Sequence, residues 1–136
     1  MFFQKNNNIN DDLSKVAALL IHAAKIDQNY STIEEEIIKK TLIEIGANNE
    51  NVKKIIDNGK KIEENSNQIL DFTKEVKNME EENKIKIVET LWKIIYSNND
   101  ADIYETNLMR RLTGLLYIDS KLMGDIKQRI KKEISK

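Results

Sequence analysis

Two short polar segments hold the side chains of this chain that are best suited to bind a metal ion. The first segment contains Asp27 and Glu34, and the second contains Asp100, Asp102 and Glu105. Carboxylate oxygens are the ligands that hard cations such as calcium and magnesium prefer. Neither segment has the pattern of acids and the central glycine of an EF-hand loop. The five residues are therefore candidate ligands for a divalent-cation site of another type.

Helix capping is the competing interpretation of the same residues. Ser31 and Glu34 have the Ser-x-x-Glu spacing of a capping box, in which each side chain accepts a hydrogen bond from the backbone N–H of the other residue. Asp102 and Glu105 repeat this chemistry with an aspartate in the place of the serine. A carboxylate that caps its own helix does not hold an ion. We favour capping and expect at most a weak cation site.

The chain offers little for covalent or acid–base catalysis. It contains no cysteine, which excludes thiol nucleophiles, disulfides and zinc–cysteine sites. His22 is the only histidine, and its place on the helical wheel gives it no evident catalytic partner. Glycine-rich phosphate-binding motifs are also absent from the sequence. We predict no catalytic and no cofactor-binding residues, and a metal-dependent hydrolase that uses the loop carboxylates is the enzymatic alternative.

Composition and charge restrict the class of protein further. The 136 residues carry a net charge of −1, which does not favour a nucleic-acid partner. The sequence has no apolar run of membrane-spanning length, and its first residues lack the features of a signal peptide. We therefore expect a cytoplasmic protein that has a protein partner and does not insert into a membrane. Peripheral membrane association and the oligomeric state stay open.

The spacing of apolar residues predicts the elements that carry the two polar segments. From Asp11 onward these residues recur at three- and four-residue steps, and no segment alternates with a period of two. This predicts an all-α, single-domain bundle of about seven helices over residues 11–136, after a flexible arm at residues 1–10. Regions 12–26 and 80–97 should be the most buried. The other helices are expected at 49–63, at 66–77, and after caps at Ser31, Asp102 and either Asp119 or Ser120.

The helix that follows Ser31 has a predicted apolar stripe and a glycine at its C-terminal end. Gly46 stands where a glycine commonly ends a helix. The predicted buried stripe consists of Ile33, Ile37, Ile38, Leu42 and Ile45.

The two halves of the chain repeat one pattern, which consists of an apolar helix, a polar loop and a capped amphipathic helix. The matched pairs are Leu20 with Leu91, Asp27 with Asn98, Ser31 with Asp102, and Glu34 with Glu105. If the repeat is real, it predicts a pseudo-twofold arrangement. The two apolar helices would then lie side by side, and the two polar loops would lie close together.

The repeated pattern resembles the TerB-like family, which includes tellurite-resistance protein TerB and the N-terminal domain of the DjlA co-chaperones. That family has an apolar helix and an Ala-Asp-Gly-x-hydrophobic-Ser/Asp-x-x-Glu loop in each half. Residues 26–34 and 97–105 correspond to the two loops. The family often has Leu-Trp before the second loop and Arg-Arg after it, and here Leu91-Trp92 and Arg110-Arg111 match. The resemblance covers residues 12–132.

The resemblance implies an all-helical fold, an acidic cluster that is proposed in the family to bind cations, and a non-enzymatic role in stress response or in membrane-associated complexes. This chain departs from the family at three loop positions: Gln28 and Asn99 replace glycines, and Asn98 replaces an aspartate. The lost carboxylate weakens a divalent site, and Asp100 is the candidate to replace its charge. We expect a binding or scaffold domain with a weak cation site, and a purely structural helix-partner module is the second alternative.

Overall fold

A computed structural model of the chain describes residues 2–25, 31–66, 69–97 and 103–135, and within these ranges it leaves out the side chains of residues 2–10, 70, 103–106 and 135. The described ranges contain helices and no strand, which confirms the predicted all-α class. The helices are α1 (Phe2–Lys25), α2 (Thr32–Glu44), α3 (Val52–Asn65), α4 (Leu70–Lys77), α5 (Glu81–Tyr96), α6 (Ile103–Leu115) and α7 (Ser120–Ser135).

Helix α1 is the centre of the bundle, and it packs against α2, α3, α4 and α5. Val16, Leu19 and Leu20 have no exposed surface, as expected of a helix that is apolar on nearly every side. This confirms the burial predicted for region 12–26 within its described part. The helix begins at Phe2 rather than near Asp12. The first residues give no apolar periodicity, but a helix that has formed extends readily into adjacent residues. Flexibility of residues 1–10 stays a prediction.

Helix α5 is the second buried helix, and it packs against α1, α2 and α7. Ile87, Val88 and Leu91 have no exposed surface, which confirms the burial predicted for 80–97 in its described part. Lys84 is also buried, and its Nζ donates a hydrogen bond to the carbonyl oxygen of Leu116 at 3.1 Å. Helices α1 and α5 are in contact, as predicted for the two apolar helices. The pseudo-twofold repeat stays a prediction.

Helix α3 lies against α1 at Gly59. A Cβ atom at this position would stand 2.7 Å from the Cβ of Ala17 and 3.0 Å from the carbonyl oxygen of Ser14. Both atoms belong to the rigid surface of α1, so neither can rotate away. Only glycine allows the two helices to come this close together.

Helix α2 buries a narrower face than the predicted stripe. Ile38 and Leu42 have no exposed surface, but Ile33 is 70% exposed, so its predicted burial is wrong. Ile33 and Glu34 are neighbours in the first turn of α2. Because Glu34 faces the core, Ile33 faces solvent. The predicted glycine end is confirmed, because Gly46 has a φ of 138°.

Helices α6 and α7 meet at a tight turn. The backbone N–H of Leu122 donates to Oδ2 of Asp119 at 3.4 Å, so Asp119 is the predicted cap of α7. The N–H groups of Tyr117 and Ile118 donate to the carbonyl oxygens of Gly114 and Thr113. These two bonds form the helix end that normally has glycine in the left-handed conformation. Here that position is Tyr117, with a φ of 55°.

Tyr117→Gly should raise the free energy of unfolding by about 1 kcal/mol, because a side chain at positive φ is strained and glycine is not. The Tyr117 side chain is 73% exposed, so little burial is lost, although Lys77 Nζ stands 5.0 Å from its ring centroid. Tyr117→Ala is the matched control, since it removes the ring and keeps the strain. Equal melting temperatures for the two variants would show that no strain resides at this turn.

Candidate functional site at the helix caps and polar loops

The structure places only part of the predicted cation site. Asp27, Asp100 and Asp102 lie outside the described residues, and so does Asn98. Glu105 lies in α6, but its side chain is also outside the description. The approach of the two loops to each other therefore stays a prediction.

Glu34 is the one candidate ligand whose side chain is placed, and it caps α2. Its Oε1 accepts hydrogen bonds from the backbone N–H of Ser31 at 2.8 Å and from the Ser31 hydroxyl at 3.0 Å. In return, the backbone N–H of Glu34 donates to Ser31 Oγ at 3.2 Å. The capping box predicted from Ser31 and Glu34 is thus confirmed. Since Glu34 is only 1% exposed, this carboxylate is part of the folded core at the start of α2.

A second polar cluster consists of His22, Lys25 and Glu63, and it lies at the end of α1 where the first polar loop begins. Lys25 Nζ donates to Oε1 of Glu63 at 2.6 Å, and His22 Nδ1 lies 3.3 Å from Oε2 of the same residue. Burial raises the pKa of Glu63, but the hydrogen bonds from Lys25 and His22 outweigh it and lower the pKa overall. The cluster fastens α3 to the last turn of α1.

Helical spacing could not identify this cluster, because Glu63 lies 41 residues from His22 along the chain. No partner for His22 was evident from helical spacing, and the structure shows that Glu63 is one. The arrangement is an ion-pair anchor, with the ring of His22 also 6.0 Å from the ring of Phe72.

Glu63 should make the stability depend on pH on the acid side. Its folded pKa lies below the ordinary value of 4.5, so its stabilising effect is present above that value and is lost as the pH falls through the folded pKa. The effect should be at most about 1 kcal/mol for a pair this close to solvent. The melting-temperature difference between the native chain and Glu63→Gln should therefore be constant above pH 4.5 and shrink as the pH falls below that value through the lower folded pKa.

The matched control for this pH dependence is Glu64→Gln, because Glu64 is the next residue of α3 and is exposed. Its melting temperature should follow that of the native chain across the range. A Glu63→Gln difference that stays constant with pH would contradict the role of the ionised carboxylate.

Within the ranges that the structure describes, no three or more His, Asp and Glu side chains are grouped to hold a metal ion. These ranges leave out most of the predicted loop ligands, so the finding does not bear on the loops. Across the same ranges, no helix has both the length and the apolar character needed to cross a membrane.

Comparison with known proteins identifies a family. A family model described as tellurite resistance protein TerB matches residues 13–128, from the buried part of α1 into α7. No curated protein and no solved structure matches the chain.

Proposed function

The chain belongs to the tellurite resistance protein TerB family, and we propose that it is a non-enzymatic binding or scaffold domain in a stress response of the tellurite-resistance type. The match over residues 13–128 carries this proposal, because it includes both of the polar segments and the helices that follow them. We further propose that the domain acts in the cytoplasm on a protein partner.

A weak cation site at the two polar loops is part of the proposal. The proposed ligands for calcium or magnesium are Asp27, Glu34, Asp100, Asp102 and Glu105. The oxygen chemistry of these side chains supports a hard cation. Two observations keep the expected affinity low: Asn98 brings no charge, and Glu34 Oε1 is engaged in the cap of α2.

Titration calorimetry with calcium, magnesium, manganese and zinc tests this site. We expect calcium or magnesium to bind with a dissociation constant on the order of 10⁻³ M or weaker, as for sites with few charged ligands. Asp27→Asn should abolish the binding heat, and Glu64→Gln, which changes an exposed carboxylate on α3, should not. Binding tighter than about 10⁻⁶ M, as in cytosolic sensor sites, would show that the loops form a complete cation site.

The same carboxylates motivate the enzymatic alternative, a metal-dependent hydrolase. A screen of phosphate and carboxylate esters with magnesium or manganese should show no turnover above that of the buffer with metal. Turnover that disappears in Asp27→Asn would replace the binding proposal with a catalytic one.

A further inference from the structure

A groove of about 520 Å³ is lined mainly by residues of α6 and α7, with Trp92 of α5 and Ile118 of the turn between α6 and α7. Its floor is apolar, since Met109, Ile118 and Met123 line it and are all buried. Methionine side chains adapt their shape to different partners. Two cationic residues, Arg110 and Lys127, also line the groove, and none of the lining side chains that the structure describes is acidic. The groove therefore combines an adaptable apolar floor with positive charge.

Two glycines in the groove have no packing role in the fold. A Cβ added to Gly114 or Gly124 would meet no atom within 4 Å, in contrast to the crowded surroundings of Gly59. Each glycine inside a helix costs about 1 kcal/mol relative to alanine. Because Gly114 and Gly124 both line the groove, the lack of a side chain at these positions leaves open space in it.

Trp92 forms part of the groove wall and has an unused hydrogen-bond donor. Its side chain is 3% exposed, and its Nε1 is buried without an acceptor among the described residues. A buried indole N–H usually has an acceptor, and leaving such a group unpaired costs about 1–3 kcal/mol. Lys127 Nζ stands 5.4 Å from the centroid of the same ring. The charge of Lys127 at the groove favours a ligand that carries negative groups, whereas the indole N–H is buried beneath the groove surface.

We propose that this groove binds an acidic segment of a partner protein, with a large apolar side chain of the segment on the Met109–Met123 floor and its carboxylates at Arg110 and Lys127. The α7 wall from Ser120 to Lys127 is about 10 Å long at the rise of an α-helix, which suits a few residues of peptide. The inference rests on the proposed binding function and gives it a surface and a partner chemistry.

A random peptide library displayed on phage tests the proposal, with selection on the native chain and depletion on Gly124→Leu, in which a side chain fills the groove. Circular dichroism and thermal melting show whether Gly124→Leu is folded, and Gly124→Ala is the milder second variant. Enriched peptides should carry an excess of Asp and Glu beside a large apolar residue. Enrichment of basic peptides, or no enrichment over the depleting variant, would overturn the proposal.

Trp92 is the only tryptophan of the chain, so its fluorescence reports binding of an enriched tryptophan-free peptide. Lys127→Glu should weaken that binding at least tenfold, whereas Lys121→Glu, the same change on α7 outside the groove lining, should weaken it less than threefold. If both variants lost the same amount of peptide affinity, only the net charge of α7 would matter, and this result would overturn the proposal that the groove binds the peptide.

Two further experiments separate peptide binding in the groove from lipid binding and from the cation site. Sedimentation with phosphatidylglycerol vesicles should not retain the native chain, and retention that Lys127→Glu abolishes would assign the groove to a lipid surface instead. Lys127→Glu should leave the calcium titration unchanged, and Asp27→Asn should leave peptide binding unchanged. Failure of the groove and failure of the cation site are thus distinguishable.

Discussion

Truncation of Leu91 to alanine should lower the free energy of unfolding by about 2–5 kcal/mol, the range for a fully buried leucine. Leu91 has no exposed surface, and its helix α5 packs against α1, α2 and α7, so the cavity has few ways to collapse. Leu20→Ala in α1 should cost a similar amount for the same reason. Urea denaturation gives the change from the shift of the midpoint at constant slope.

Leu115→Ala is the matched control for these two truncations, because Leu115 is only partly buried at the edge of the core. It should cost clearly less than Leu91→Ala. His22→Gln, at a half-buried polar position, should also do little by comparison. If His22→Gln unfolds the protein and Leu20→Ala does not, the assignment of the α1 faces is wrong.

Replacement of Gly59 by alanine should destabilise the protein by about 1–3 kcal/mol, the usual cost of overpacking. The expectation runs against helix propensity, which alone favours alanine by about 1 kcal/mol. The new methyl group would lie 2.7 Å from the Cβ of Ala17 and 3.1 Å from the backbone nitrogen of Ala18. Helices α1 and α3 must then move apart, and their shared core loosens.

Gly114→Ala and Gly124→Ala are the matched controls for Gly59→Ala. The same substitution at these two helical positions meets no neighbour within 4 Å, so it should raise the melting temperature or leave it unchanged. A stabilised Gly59→Ala would contradict the close approach of α1 and α3.

The sequence was sufficient to predict those features that depend on residues within a single helix. The apolar spacing around Leu20 and Leu91 predicted the two buried helices, and the Ser31–Glu34 spacing predicted a cap that the structure confirms. These features depend on residues three or four positions apart. Gly46 likewise ends α2 by a local requirement for positive φ.

Features that depend on two distant segments were not predictable. Gly59 is explained only by its contact with Ala17, and His22 only by Glu63. Ile33 has the right type and spacing for the core, yet it extends from the first turn of α2 and stays exposed. The groove between α6 and α7 forms only when three helices pack together, so the spacing of residues within one helix could not predict it.

We infer that the carboxylates around the loops serve first as helix caps and bind a cation only weakly. Two substitutions of Glu34 test its role as a cap. Glu34→Gln should keep most of the stability, because glutamine also serves in a capping box, and Glu34→Ala should lose about 0.5–2 kcal/mol, in the range for lost helix caps.

The most direct test is the melting temperature with and without millimolar calcium or magnesium, in the native chain and in Asn98→Asp. A bound cation stabilises the folded state by an amount that grows with the ratio of the cation concentration to its dissociation constant. We predict a small shift in the native chain and a larger shift in Asn98→Asp, where the missing carboxylate is restored. A large shift in the native chain that Asp27→Asn abolishes would contradict the claim by showing a strong site, and no shift in either chain would show that the loops bind no cation.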